Sequence, residues 1–296
     1  MSQLLGLLRL TIRELYAKKI VVGAALMATL AWVMLAFALN LDVVDGTLAG
    51  IRLFGNEIPA EQQVQSQGDD GQVETEIIET FGAGNALRNL VIGISQFTAG
   101  AAYWIGLLLA LFATAPLMVS LQNTGTIDVL LSKPLSRSKL LTGRLVGVFT
   151  AVAILTTYLM GAVWLVMSLK SGIWYPKFLM SIGVVILMFG VMYGVVTLVS
   201  VLSQSTALAL IVTYGLIFAS IILSVREQLE PQINPPWRSI YVGLYHLLPN
   251  FTEVTKTVAQ LAGQEPVPGW YPLLSSVLFG LVMYAASYAI FQRKDY

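Results

Sequence analysis

Residues 125–144 read Gly-Thr-Ile-Asp-Val-Leu-Leu-Ser-Lys-Pro-Leu-Ser-Arg-Ser-Lys-Leu-Leu-Thr-Gly-Arg. Lys133, Arg137, Lys139 and Arg144 stand here against a single acid, Asp128. The stretch is wedged between two apolar runs, 97–121 and 145–169. A membrane-spanning helix needs about 20 apolar residues, so this is the short basic connection between two spans. Locally, Thr126 can cap a short helix. Ile127, Leu130 and Leu131 then fall at i, i+3 and i+4 on one apolar face. Lys133-Pro134 stops that helix. Ser136 can cap the next one, which runs through Leu140, Leu141 and Gly143 into the following span.

The rest of the chain supports a membrane reading. Of 296 residues, 56% are hydrophobic and 11% charged, against roughly 25% charged in a soluble domain. The mean hydropathy is +0.76. Six runs qualify as spans: 20–40, 97–121, 145–169, 179–202, 207–224 and 272–291. The fold class expected is an all-α polytopic membrane protein, a single transmembrane domain with long loops at 41–96 and 225–271. With no cysteine, disulfides, thiolate metal sites and cysteine nucleophiles are excluded. A net charge of +1 offers nothing for nucleic acid. The first span is longer than a signal-peptide core and is read as a retained anchor.

Lys and Arg set the expected orientation. With the N-terminus cytoplasmic, the inside holds Arg9, Arg13, Lys18, Lys19, Lys133, Arg137, Lys139, Arg144, Arg293 and Lys294, ten of the 17 bases. They crowd onto short loops, where the rule applies. The expectation is a multi-pass protein of the inner (cytoplasmic) membrane with both termini inside. No ionisable side chain falls in the middle of a span, which argues against a proton or sodium relay.

Residues 4–19 read as an amphipathic helix, with Leu4, Leu5, Leu8, Ile12, Leu15 and Tyr16 on one face and Arg9 and Arg13 opposite. It is either a basic topogenic tail or an elbow helix that moves with the first span. In the first outer loop, residues 65–71 are wholly polar, and Leu87, Leu90, Val91 and Ile94 suggest a helix lying on the outer leaflet. In the second, Ser239–Leu248 is too short to span and fits a re-entrant or interfacial helix, with a further helix from Phe251 to Leu261. Trp104, Trp174, Trp237 and Trp270 fall near outer span ends, as an aromatic belt requires.

Other sites weigh little. His246 is the single histidine and lacks companions for a metal or catalytic site. Asn250-Phe251-Thr252 is a glycosylation sequon. Gly143/Gly147 and Gly190/Gly194 have the spacing for close helix approach, within the chain or at a dimer face. Pro116 should kink the second span. Tyr158, Tyr193, Thr197 and Tyr214 mark no convergent pocket. There is no Gly-x-x-x-x-Gly-Lys-Ser/Thr sequence, so ATP would have to be handled by another polypeptide.

On residue chemistry alone, the 125–144 loop is either a positive-inside anchor or a docking helix for a soluble partner. Its Leu130-Leu131-Ser132-Lys133-Pro134-Leu135-Ser136-Arg137 and Gly143-Arg144 resemble the signature of ABC-2-type transporter permeases, most nearly those of nitrous oxide reductase maturation and gliding motility systems. Leu248-Pro249-Asn250-Phe251 is similar to a second element of that family. The resemblance implies a half-transporter, pairing with a second permease copy above two P-loop ATPase subunits. ATP and magnesium would be bound by those subunits, with no cofactor in this chain. It further implies that 122–144 is a coupling loop. Ile127, Leu130 and Leu131 would fill a groove on the ATPase, Asp128 would be a polar partner, and Lys133 and Arg137 rim charges. Export is the implied direction. The competing reading is a non-transporting scaffold linking an ATPase to an extracytoplasmic protein.

Overall fold

The computed structural model describes residues 2–17, 19–44, 47–53, 56–58, 83–122, 136–225 and 235–293. Helix α1 (Ser2–Ala17) and helix α2 (Ile20–Ala38) open the chain. They meet at a bend of 67°. No proline or glycine makes this corner. Lys19 does, with φ 56°, a left-handed conformation that a non-glycine residue adopts at some cost. The lead-in and the first apolar run are therefore separate helices, which together pass as one bent span candidate.

After α2 comes a three-stranded antiparallel sheet: β1 (Leu39–Val44), β2 (Thr47–Leu53) and β3 (Asn56–Ile58), in that order. Val44 pairs with Thr47 and Leu39 with Leu53, with a bulge between Asp42 and Val43. This sheet is an addition to the helical membrane body that the spans predict.

The second span differs from its expected bounds. Helix α3 (Ala83–Ala101), a π-helical turn (Ala102–Gly106) and helix α4 (Leu107–Ser120) follow one another directly. Leu87–Ser120 passes as one 34-residue span candidate. Leu87 and Val91 do not lie on a leaflet. They are buried against Val163 and Met167 of the next helix, because joining the span carries their apolar face onto a protein neighbour. Pro116 sits inside α4 without breaking it.

Helix α5 (Arg137–Ser171) has 35 residues. Its buried Arg144 and its Lys170 lie 26 residues apart, roughly 39 Å at 1.5 Å per residue, and so bracket a hydrocarbon core of about 30 Å. Helix α6 (Lys177–Ser203) and helix α7 (Thr206–Ser224) follow, then helix α8 (Pro235–Leu247), helix α9 (Phe251–Ala262) and helix α10 (Tyr271–Arg293). Among the described residues, five helices are long and apolar enough to cross a membrane, or six with the α1–α2 pair counted as one span.

Helix α6 is the hub. It is 72% buried over its apolar window, whereas α5, α7 and α10 are buried over 22–28% of theirs. Helices α4, α5, α7, α9 and α10 all pack on it. Glycines permit this. A Cβ on Gly280 of α10 would stand 3.0 Å from the Val191 Cα, and one on Gly190 would stand 2.7 Å from the Phe149 ring. Gly194 likewise faces the Gly280 carbonyl. The Gly190/Gly194 pair is thus used inside the chain, not at a dimer face.

At the other end of the bundle, α9 buries Phe251, Val254, Val258 and Leu261 against α3, α6 and α7. Asn250 is only 4% exposed and its side-chain amide donates to Ser275 Oγ at 3.1 Å, so in the folded bundle the sequon asparagine is a packing residue. Helix α8 turns Trp237, Ile240, Leu244 and Leu247 outward on one stripe, the pattern of an interfacial helix. Trp174 and Trp270 are exposed, but Trp104 packs edge-on against Phe251. His246 is exposed, its Nδ1 2.6 Å from the Tyr271 hydroxyl.

Candidate functional site

The described ends of the basic loop, Gln122 and Ser136, lie where three spanning helices finish. The last turn of a helix leaves its carbonyls without intrahelical partners and carries partial negative charge. Each of these helices receives a donor from a residue flanking the loop. Arg144 Nε donates to the Leu117 carbonyl of α4 at 3.0 Å. Gln122 Nε2 donates at 2.9 Å to the Ser200 carbonyl of α6, which also accepts the Gln204 amide. Arg137 Nη1 reaches the Gln292 carbonyl of α10 at 3.5 Å. Each lies in the final turn of its helix.

Arg144 carries the most. Its side chain is 5% exposed, and its planar fork matches several acceptors at once. Beyond Leu117, Nη2 donates to Ser120 Oγ at 2.8 Å and Nη1 pairs with Glu14 of the elbow helix. The Ser120 hydroxyl divides its hydrogen between the Leu117 carbonyl at 3.0 Å and Glu14 Oε1 at 3.3 Å. One guanidinium therefore ties α1, α4 and α5 together. Close approach makes this possible: a Cβ on Gly147 would meet Thr11 Cβ at 2.6 Å. The glycine of the Gly143/Gly147 pair that is in contact serves the elbow helix.

The elbow helix therefore sits otherwise than its apolar pattern suggests. Thr11 and Leu15 are buried against the bundle, each 1% exposed. Ile12 and Tyr16, expected on the same face as Leu15, stay exposed at 37% and 67%. The glycine groove in α5 admits the narrow Thr11, which rotates the stripe and leaves Ile12 and Tyr16 on the exposed side. Arg13 is exposed. Arg9 lies on α1, with its side chain outside the described residues.

Further contacts fix the start of α5. Ser136 caps it, accepting from the Lys139 amide at 3.4 Å. Gln292 Nε2 donates to Ser138 Oγ at 2.8 Å. Thr142 Oγ1 and the Tyr288 hydroxyl lie 2.6 Å apart. Ile127, Asp128, Leu130, Leu131 and Lys133 fall outside the described residues, so of the docking set only Arg137 is placed.

Away from this end, the tyrosine hydroxyls singled out from the sequence link neighbouring helices, while Thr197 bonds back within its own. Trp32 Nε1 donates to the Tyr158 hydroxyl at 3.1 Å, which lies 2.9 Å from Thr29 Oγ1. Tyr214 donates to the Leu108 carbonyl at 2.9 Å, Tyr193 to Thr114 at 3.3 Å, and Thr197 to Tyr193 at 2.7 Å. Among the described residues no three His, Asp or Glu side chains cluster as metal ligands. A cavity of about 440 Å³ between α4 and α7 is lined by apolar groups such as Leu108, Phe112, Ile217 and Phe218. What this chain offers at Arg144 is a buried polar junction of three helices.

The family described as ABC-2 family transporter protein matches residues 17–296. The chain belongs to the ABC-2 transporter family. It is a multi-pass permease subunit of an ABC transporter. Permeases of this family are transmembrane subunits that generally carry no catalysis, and membership implies an ATPase partner. No curated protein matches the permease. The Glu14–Arg144 pair was not foreseen from sequence. Part of its signal was present, since Glu14 is the one acid of the lead-in helix and Arg144 directly adjoins the third span.

Proposed function

We propose that this permease works as an ATP-driven exporter in which two copies pair above two separate ATPase subunits. Its termini and the 122–144 loop face the cytoplasm. The observation that carries this is the triple cap. Gln122, Arg137 and Arg144 flank the loop on both sides and hold the ends of α6, α10 and α4. A push on the loop by an ATPase reaches three spans and, through Glu14, the elbow helix. Coupling through a packed, hydrogen-bonded joint of this kind needs no flexible linker.

The test replaces Ile127, Leu130 and Leu131 together by aspartate. Co-purification with the ATPase is expected to fail while the permease stays folded. An intact, active complex sinks the docking role. The loop motif favours the branch tied to nitrous oxide reductase maturation and gliding motility, which the genes adjacent to this one would test. The sheet at 39–58 and the long α3 favour a second reading, in which the same joint drives an extracytoplasmic partner without transport. Vesicles carrying the full complex separate the two, since ATP hydrolysis with no substrate movement supports the scaffold.

A further inference from the structure

Between α5 and α10 lies a shallow groove of about 340 Å³, lined by Leu145, Val146, Phe149, Thr150, Tyr284 and Thr142. It starts at the Thr142–Tyr288 hydroxyl pair and descends to Thr150. That is eight residues, about 12 Å of helix, which begins on the headgroup side of Arg144 and runs past it into the bilayer core. Its mouth is basic. Lys139 lies on the same helical stripe as Thr142, Val146 and Thr150 and is exposed. Arg137 is one turn from the mouth, on Gln292. No acid occurs in 136–150 or 280–293.

We propose that this groove holds one anionic phospholipid, with an acyl chain against Leu145, Val146 and Phe149 and the phosphate beside Lys139. Charge complementarity selects this occupant. A second copy seated on the groove would bring its own Lys139 and Arg137 to the same end, setting like charges together. A neutral lipid would fill the apolar part and leave the basic mouth unanswered. The orientation proposed above enters only in naming the leaflet as the cytoplasmic one.

The full chain, released from nanodiscs containing equal phosphatidylglycerol and phosphatidylcholine, is examined by native mass spectrometry. Retained phosphatidylglycerol is expected to exceed phosphatidylcholine. One lysine near a membrane surface contributes on the order of 1 kcal/mol toward anionic lipid. Lys139→Glu should therefore lower phosphatidylglycerol retention by about fivefold or more. Val146→Trp, which fills the groove, should lower retention of both lipids. Lys177→Glu, at the far end of the bundle, should change neither. Unchanged retention in both Lys139→Glu and Val146→Trp overturns the proposal. So does a Val146→Trp variant that loses its two-copy mass while keeping its lipid, which would make the groove an interface between copies. Labelling Ser136→Cys from either side of sealed vesicles reads the orientation separately. A reversed result would move the lipid to the other leaflet and leave the site standing.

Discussion

Arg144→Ala removes three donated contacts at once and leaves the Leu117 carbonyl and Glu14 without them. Removing one partner of a buried ion pair costs about 3–5 kcal/mol. The lower end is expected here, since the Glu14 side chain keeps 28% of its exposure. Thermal unfolding of the solubilised permease measures it. Arg144→Lys should fall between, because an ammonium carries the charge without the planar fork that meets Leu117, Ser120 and Glu14 together. In the assembled complex, Glu14→Gln is expected to leave ATPase binding in place and weaken transport per ATP hydrolysed. Equal transport would show that the elbow helix takes no part. At this scale the sequence is uneven. Ser136 announced its cap through an ordinary rule, whereas the partner of Arg144 lies 130 positions away and no local rule pairs them.

Between elements, the decisive contacts are glycines. Gly147→Leu would drive a side chain into Thr11 and lift α1 from α5. Overpacking of this kind costs typically 1–3 kcal/mol. Spin labels at Arg13→Cys and Lys139→Cys, placed in a chain without native cysteine, should report a longer and broader distance in that variant. An unchanged distance would mean that α1 is held by something other than this approach. Helix periodicity gave the elbow, the spans and α9 because apolar length and i, i+3, i+4 spacing are local properties. It could not say which apolar face meets protein and which meets lipid, since both are apolar. That is why spacing alone suggests a leaflet for Leu87 and Val91 and groups Ile12 with Leu15, although Leu87 and Val91 pack on Val163 and Met167 and Ile12 stays exposed. The β1–β2 hairpin did leave a local trace in Asp45-Gly46, a dipeptide favoured between antiparallel strands.

For the whole molecule, the hub arrangement around α6 puts the Arg144 cluster at one end and the packed Phe251 region at the other. Single cysteines at Ser136 and Trp270 should react from opposite sides of sealed membranes; labelling from one side would refute the six-span topology. The π turn at 102–106 links these two ends along a single continuous helical path. There the Leu107 amide bonds back to the Ala102 carbonyl, so the chain holds one residue more than an α-helix of that rise would. Deleting one residue would restore a regular helix but twist its two halves by about 100° relative to each other. Leu87 and Val91 would swing off Val163 and Met167 while Leu117 stayed on Arg144. The second span therefore keeps time between two faces that a regular helix could not serve together, and its length in residues is as constrained as its composition.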